Sequence, residues 1–188
     1  MPRQQPIDIH AHPRDLVAEA VHDYGEHAVI DMCLALLDGH TDYDRLPLPL
    51  SYLGGAHAVT QLGRGHNLVM RRQEHWPRAW AVRALRYVWQ PYAEPGVVAA
   101  LSDPAGRVRE TAAKLVGQRE LGSGAEALVP LVADESSRVR AAAIRALGVV
   151  GEYEHAVLLA DLDDHEVLVR IAIEGARRRL RVRLDRAV

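Results

Sequence analysis

Asp103-Pro-Ala-Gly-Arg-Val108-Arg109-Glu-Thr-Ala112-Ala113-Lys-Leu115-Val116-Gly117 is followed, 31 residues on, by Asp134-Glu-Ser-Ser-Arg-Val139-Arg140-Ala-Ala-Ala143-Ile-Arg-Ala-Leu147-Gly148. A third, more degenerate copy, Asp164-His-Glu-Val-Leu-Val169-Arg170-Ile-Ala172-Ile173-Glu-Gly-Ala176, begins 30 residues after the second. The Val-Arg pairs recur at the same intervals. A fixed period of this size is the signature of stacked supersecondary units.

Each copy reads as a helix with its own start. Asp103, Asp134 and Asp164 are N-cap candidates, since a short carboxylate accepts from the free amides of a first turn. Pro104 suits a first helical position, where its missing N–H costs nothing. Val108, Ala112, Leu115 and Val116 then share a face, as do Val139, Ala143 and Leu147. Shorter apolar stretches at 96–101, 125–133 and 156–162 are long enough for two or three turns each. Gly122, Gly124 and Gly151 supply breaks. The unit is helix–turn–helix, and alanine at the contact positions lets neighbouring helices approach closely.

The pattern D-P-x-x-x-V-R-x-x-A-A-x-x-L-G resembles a HEAT-like repeat, of the short bacterial type also found in phycobilisome-lyase-like proteins. The resemblance covers about residues 75–180, with the copies at 103 and 134 matching best. It implies an all-α fold, a right-handed α-solenoid of helical hairpins forming one domain over 1–188. Within it, 71–188 would hold about four repeats and 1–70 a divergent helical cap. It also implies a ladder between adjacent units that pairs Asp103 with Arg140 and Asp134 with Arg170. It implies little about activity, because such repeats serve adaptors, inhibitors, lyases and DNA-repair enzymes.

An imperfect further copy, Glu74-His-Trp-Pro-Arg-Ala79-Trp80-Ala-Val-Arg83-Ala84-Leu-Arg-Tyr87-Val-Trp89, aligns with the first at an offset of 29. Pro77 again fits a first turn. Trp76, Trp80, Arg83 and Tyr87 follow 4-3-4 spacing and so share one helical stripe. Such a stripe either packs against the N-terminal segment as core or forms a binding patch, since aromatics with an arginine are enriched at interface hot spots.

Residues 13–37 read as two helices broken at Gly25, the first with Leu16, Val17, Ala20, Val21 and Tyr24 on one face. The second carries Val29, Met32, Cys33 and Leu36 and ends at Gly39. Pro47 and Pro49 favour an extended connector over 46–55, with a short helix around 56–62 and a break at 63–67. Eight of ten His fall in residues 1–75. The stretch Ile7-Asp8-Ile9-His10-Ala11-His12 resembles the H-x-H strand of amidohydrolases, but the chain is too short for that barrel of roughly 250 residues. His10 and His12, with Asp8, remain the candidate metal ligands. Cys33 lies on an apolar face and reads as a small core residue.

Composition bounds the function. With 48% hydrophobic and 26% charged residues, the chain is globular. A single Cys removes a disulfide framework and a multi-Cys zinc finger. The start, MPRQQPIDIH, lacks a signal-peptide core and no 18-residue apolar run exists, so a cytoplasmic protein without membrane contact is expected. The net charge of −2 conceals −6 over residues 1–60 and +5 over 170–188.

No Ser/His/Asp constellation, Gly-rich phosphate loop or catalytic carboxylate pair emerges from spacing. The leading expectation is a non-enzymatic protein–protein interaction module without cofactor, an adaptor or scaffold, as monomer or dimer. Its concave surface would grip a protein or peptide of acidic character, using Arg107, Arg109, Arg138 and Arg145, with Trp80 at one end. The alternative is nucleic-acid binding through the basic C-terminal helix bearing Arg177, Arg178, Arg179, Arg181, Arg183 and Arg186 (the last outside the residues described below), which the acidic N-terminal half opposes.

Overall fold

A computed structural model of the chain describes residues 4–63 and 73–184, and among them every regular element is helical. In chain order these are α1 (Pro13–Tyr24), α2 (Glu26–Leu37), α3 (Ser51–Gly63), α4 (His75–Ala84), α5 (Glu94–Ala99), α6 (Gly106–Arg119), α7 (Ala125–Leu128), α8 (Ser137–Val150), α9 (Tyr153–Ala160) and α10 (Val167–Leu184). The chain divides into two compact units, Met1–Gly96 and Val97–Val188.

In the first unit, α1 packs on α2 and α3, and α4 lies against α2 and α3. The break expected at Gly25 is present, with φ 86°. The expected extended connector over 46–55 is shorter than that: α3 already begins at Ser51. The prolines end at 49, so nothing in 51–54 forbids a turn of helix. The helix then kinks at Gly55, whose φ of 58° and ψ of −145° only glycine adopts readily. The kink frees backbone groups, and Ala56 N–H donates instead to the Ile9 carbonyl at 2.8 Å. Leu16, Ile30, Met32, Leu36, Leu48, Tyr52, Leu53 and Trp80 form this unit's core. Of the break expected over 63–67, residues 64–67 lie outside the described residues.

The second unit is a stack of helical hairpins. Their second helices are α6, α8 and α10, and α8 packs between α6 and α10. The first helices are short and tighten into 3-10 geometry. α5 runs into Ala100–Ser102, and α7 into Val129–Ala133. In the latter, Pro130 has no N–H to continue an α-helix. Glycine lets the second helices meet backbone to backbone. A Cβ on Gly148 would lie 2.7 Å from Ala176 Cα, and one on Gly117 3.2 Å from Ala146 Cα. The apolar faces read from sequence are buried: Val108, Ala112, Leu115, Val116, Val139, Ala143, Leu147, Val169, Ala172, Ile173 and Ala176 are each 3% exposed or less.

Two expectations require correction. The repeat aspartates do not cap the helices directly. Each precedes its helix by three residues and accepts the backbone N–H two positions on, at 2.8 Å from Ala105, 2.9 Å from Ser136 and 2.8 Å from Glu166. These are Asx turns that aim the chain into the helix, so Pro104 sits in the turn and not at a first helical position. The ladder also runs the other way. Arg109 meets Asp134 and Arg140 meets Asp164, both at 2.7 Å, in place of Asp103 with Arg140 and Asp134 with Arg170. The arginine sits in the first turn of its helix, and its Nη1 is tied to the carbonyls of its own preceding turn. That leaves the other edge of the guanidinium to face the following repeat, not the preceding one.

Candidate interaction surface

The ladder arginines are absorbed by structure. Arg109 Nη1 donates to the carbonyls of Asp103 and Pro104 at 2.8 and 3.0 Å, while Nε donates to Asp134 Oδ2. Arg140 repeats this, with Nη1 on the Asp134 carbonyl at 2.9 Å and Nε and Nη2 on the two oxygens of Asp164. Burial pushes the Asp134 carboxyl up, but the hydrogen bonds from Arg109 and the Ser136 N–H, with the charges of Arg109 and Arg140, together outweigh it and hold the group below the ordinary range. At Asp164 the hydrogen bond from Arg140 is the main cause of a lowered pKa. Of the four arginines expected on a binding face, Arg109 is therefore committed to the stack. Arg107 and Arg138 are exposed and Arg145 half-exposed.

Charge is sorted by element. Every Arg and Lys of residues 97–184 lies on a second helix: Arg107, Arg109, Lys114 and Arg119 on α6; Arg138, Arg140 and Arg145 on α8; and six arginines on α10. Only Glu110 and Glu174 oppose them there; all other acidic residues of 97–184 lie in the turns and first helices. Glu110 is nearly buried between Arg107 at 3.2 Å and Lys114 at 2.5 Å. Burial raises its pKa, but Lys114 and Arg107 reverse this and leave it lowered. Arg107 and Lys114 on α6, Arg138 on α8, and Arg178 and Arg179 on α10 are exposed cations of the second helices, and Arg145 on α8 is half-exposed. The spacing 107-111-114-118 recurs one period later as 138-142-145-149. This pattern is readable in the sequence, but only once each residue is assigned to the first or second helix of its repeat.

The basic C-terminal helix serves two purposes. Arg177 closes the end of α9, donating to the carbonyls of Leu159, Ala160 and Leu162 at 2.6–2.9 Å. Arg178, Arg179, Arg181 and Arg183 are exposed. A groove runs between α8 and α10, lined by Glu120, Gly148, Val149, Arg178, Arg179 and Val182.

In the first unit the aromatic stripe divides. Trp80 is 2% exposed and lies against Gly54, where a Cβ would come within 2.8 Å of its ring. Arg83 Nη2 donates to the Leu53 carbonyl at 2.6 Å, just before the kink at Gly55. Trp76 is half-buried and stacks on Trp80 at 6.3 Å. Tyr87 is not on the helical stripe expected for it, because α4 ends at Ala84; it lies in the turn beyond and is exposed, at 37%, edge-on to His12 at 6.2 Å.

His12 caps α1, its Nδ1 accepting from Arg14 N–H at 3.2 Å. Among the described residues, the ligand-type group whose donor atoms lie within 4.8 Å of one another is Glu126, Glu154 and His155, not Asp8, His10 and His12. Sequence spacing did not reveal it, because α7 and α9 bring its members together. Yet His155 Nδ1 accepts the Glu152 N–H at 2.9 Å, a backbone group that can only donate. The ring proton is therefore on Nε2, which faces Glu126 at 3.5 Å. His155 Nδ1 is thus the cap of α9, while Nε2 is buried without a hydrogen-bond partner. Cys33 is fully buried and burial pushes its thiol pKa up, as expected of a core residue.

Geometry thus defines a repeat protein built of helical hairpins with a cationic second-helix face. Residues 95–177 match the family model described as HEAT repeats, and that span has the helical hairpins such repeats are built from. The match is to HEAT repeats as such, without a lyase subtype. Searches among curated proteins and solved structures returned no match. HEAT repeats generally mediate protein–protein interaction. Among the described residues no helix is long and apolar enough to cross a membrane.

Proposed function

We propose that this chain is a non-enzymatic adaptor or scaffold that holds an acidic segment of a partner protein along its second helices. The observation that carries the reading is the sorting of charge: all Arg and Lys of residues 97–184 lie on α6, α8 and α10. Cations that only kept the protein soluble would have no reason to avoid the turns. Carried on helices that pack against one another, they raise the local concentration of an acidic ligand and steer its approach. The groove beside Val149 and Val182 adds apolar area for a side chain of that segment.

The test is fluorescence anisotropy with a labelled, extended Glu/Asp-rich peptide. The wild type binds it saturably, and Arg138→Glu/Arg145→Glu/Arg178→Glu weakens binding at least tenfold. Equal binding by the triple variant sinks the reading. A labelled DNA duplex, bound more tightly than the peptide and released steeply by salt, would replace it with nucleic-acid binding.

A further inference from the structure

His155 brings a buried ring to two carboxylates carried by different hairpins. It lies in the first turn of α9, and its side chain is 4% exposed. Nε2 stands 3.5 Å from Glu126 Oε1 on α7, and Nδ1 stands 3.8 Å from Glu154 Oε1 on α9. Each of the three offers a donor atom within 4.8 Å of the others. Nε2 is aimed into this group and has no hydrogen-bond partner. A buried polar atom left so costs free energy until something is brought to it. Glu126 and Glu154 are 83% and 67% exposed, so a cation arriving from solvent meets the carboxylates first.

The spacing fits a metal ion. Two ligands at about 2.0–2.1 Å on a tetrahedral centre stand roughly 3.4 Å apart, and Nε2 and Glu126 Oε1 are separated by 3.5 Å. The ring is also held in place. A Cβ on Gly151 would lie 2.9 Å from His155 Cβ and 3.2 Å from its Cγ, so the imidazole is packed on a glycine. Glu152, the other carboxylate at this turn, is already used: it accepts the His155 N–H and faces Arg183 at 3.4 Å. We infer that His155 Nε2 and Glu126 bind a zinc-type divalent cation that ties α7 to α9, with Glu154 positioning the imidazole from behind. An imidazole beside a carboxylate suits Zn2+, whereas Mg2+ and Ca2+ favour oxygen ligands alone.

Binding shifts a proton within the ring. Coordination takes the Nε2 lone pair, so the proton that sits on Nε2 while Nδ1 accepts the Glu152 N–H moves to Nδ1. The imidazole stays neutral, and the Glu152 N–H gives up its acceptor. Glu154 Oε1 is the carboxylate placed to accept from the new Nδ1–H, the arrangement that commonly orients a metal-bound histidine. The cost of one cap hydrogen bond at the start of α9 is offset by the metal–ligand bonds and by filling the vacancy at Nε2. The site lies on first helices, so it is independent of the acidic-segment reading, which rests on the second helices.

The test is a Zn2+ titration of the isotope-labelled full chain, followed by long-range proton–nitrogen correlation of the histidine rings. The His155 ring converts saturably from the Nε2–H to the Nδ1–H tautomer, and the Glu152 amide signal moves with it. Glu126→Gln, at a mostly exposed side chain whose exchange leaves the fold intact, weakens that conversion at least tenfold. Mg2+ at the same concentration leaves the ring unchanged. The melting temperature rises with Zn2+ in the wild type and rises less in Glu126→Gln. A His155 ring that keeps its proton on Nε2 at saturating Zn2+ overturns the site, as does a conversion that Glu126→Gln leaves unaltered. Shifts confined to His10 and His12 also overturn it and give the metal to the N-terminal pair.

Discussion

Arg109 reaches forward to Asp134, Nε to Oδ2 at 2.7 Å, across one repeat boundary. The same contact recurs between Arg140 and Asp164. Each arginine therefore does two things: it closes the turn behind it and holds the turn ahead. A mutation in either partner leaves a nearly buried charge unpaired. Asp134→Asn and Arg109→Gln should each cost about 2 kcal/mol, read from urea midpoints. The double variant should cost much less than their sum, while Asp103 and Arg140 should couple by less than about 0.5 kcal/mol. The pH dependence follows from the lowered Asp134 carboxyl. Its contribution is present above the ordinary value of 3.8 and is lost as pH falls through the lower folded value.

Glycines on the second helices sort by what faces them. Gly148→Ala would push a methyl to 2.7 Å from the Ala176 backbone, which cannot yield without moving α10. The expected cost is about 2 kcal/mol or more. Gly117→Ala, at 3.2 Å from Ala146 Cα, should cost less. Gly175→Ala meets nothing within 4 Å and lies inside α10, so it should stabilise by about 0.5–1 kcal/mol. Thermal melts of the three variants check the order; a stable Gly148→Ala protein would show that the stack tolerates wider helix spacing.

The repeat was legible because its spacing, its small residues and its Val-Arg pairs act locally on each helix. Helix existence and the apolar faces follow from such terms, whereas the close approach at Gly117 and Gly148 shows only in the structure, the sequence having pointed to alanine at the contacts. Ladder direction was not legible, since Asp134 lies between Arg109 and Arg140 and pattern alone does not say which it serves. The turn carbonyls decide, by anchoring each guanidinium from behind. The second-helix cations were half legible: Arg107, Arg138 and Arg145 are readable, but the ladder role of Arg109 and the α9-capping role of Arg177 need three-dimensional partners. The Glu126–Glu154–His155 group has no sequence signal at all, because its members belong to different hairpins.

Trp80 and Tyr87 lie on one predicted stripe and should behave oppositely. Trp80 is 2% exposed against Gly54, so Trp80→Ala opens a large cavity and should cost about 3–5 kcal/mol. Tyr87 is 37% exposed, so Tyr87→Ala should cost less than about 1 kcal/mol. Denaturant midpoints separate the two cases. A mild effect at Trp80 would return it to the list of surface residues.

His57 makes the first unit sensitive to mild acid. Its ring stands edge-on to Trp76 at 4.5 Å and to Trp80 at 5.4 Å, with Gln61 at 3.1 Å from Nε2. Burial disfavours the imidazolium, and the neighbouring charges of Arg83 and His75 add to this, so its pKa falls below 6.5. The unfolded chain then takes up a proton more readily than the folded one. Stability is accordingly full above about pH 6.5 and declines as pH drops through that value toward the lower folded one. Urea midpoints should therefore decrease between about pH 7.5 and about pH 5. Nine other histidines contribute to the raw slope, so the decisive comparison is with His57→Gln. Glutamine keeps a hydrogen-bonding group beside Gln61 but does not titrate, and its slope over the same interval should be shallower. Identical slopes would remove His57 as the source.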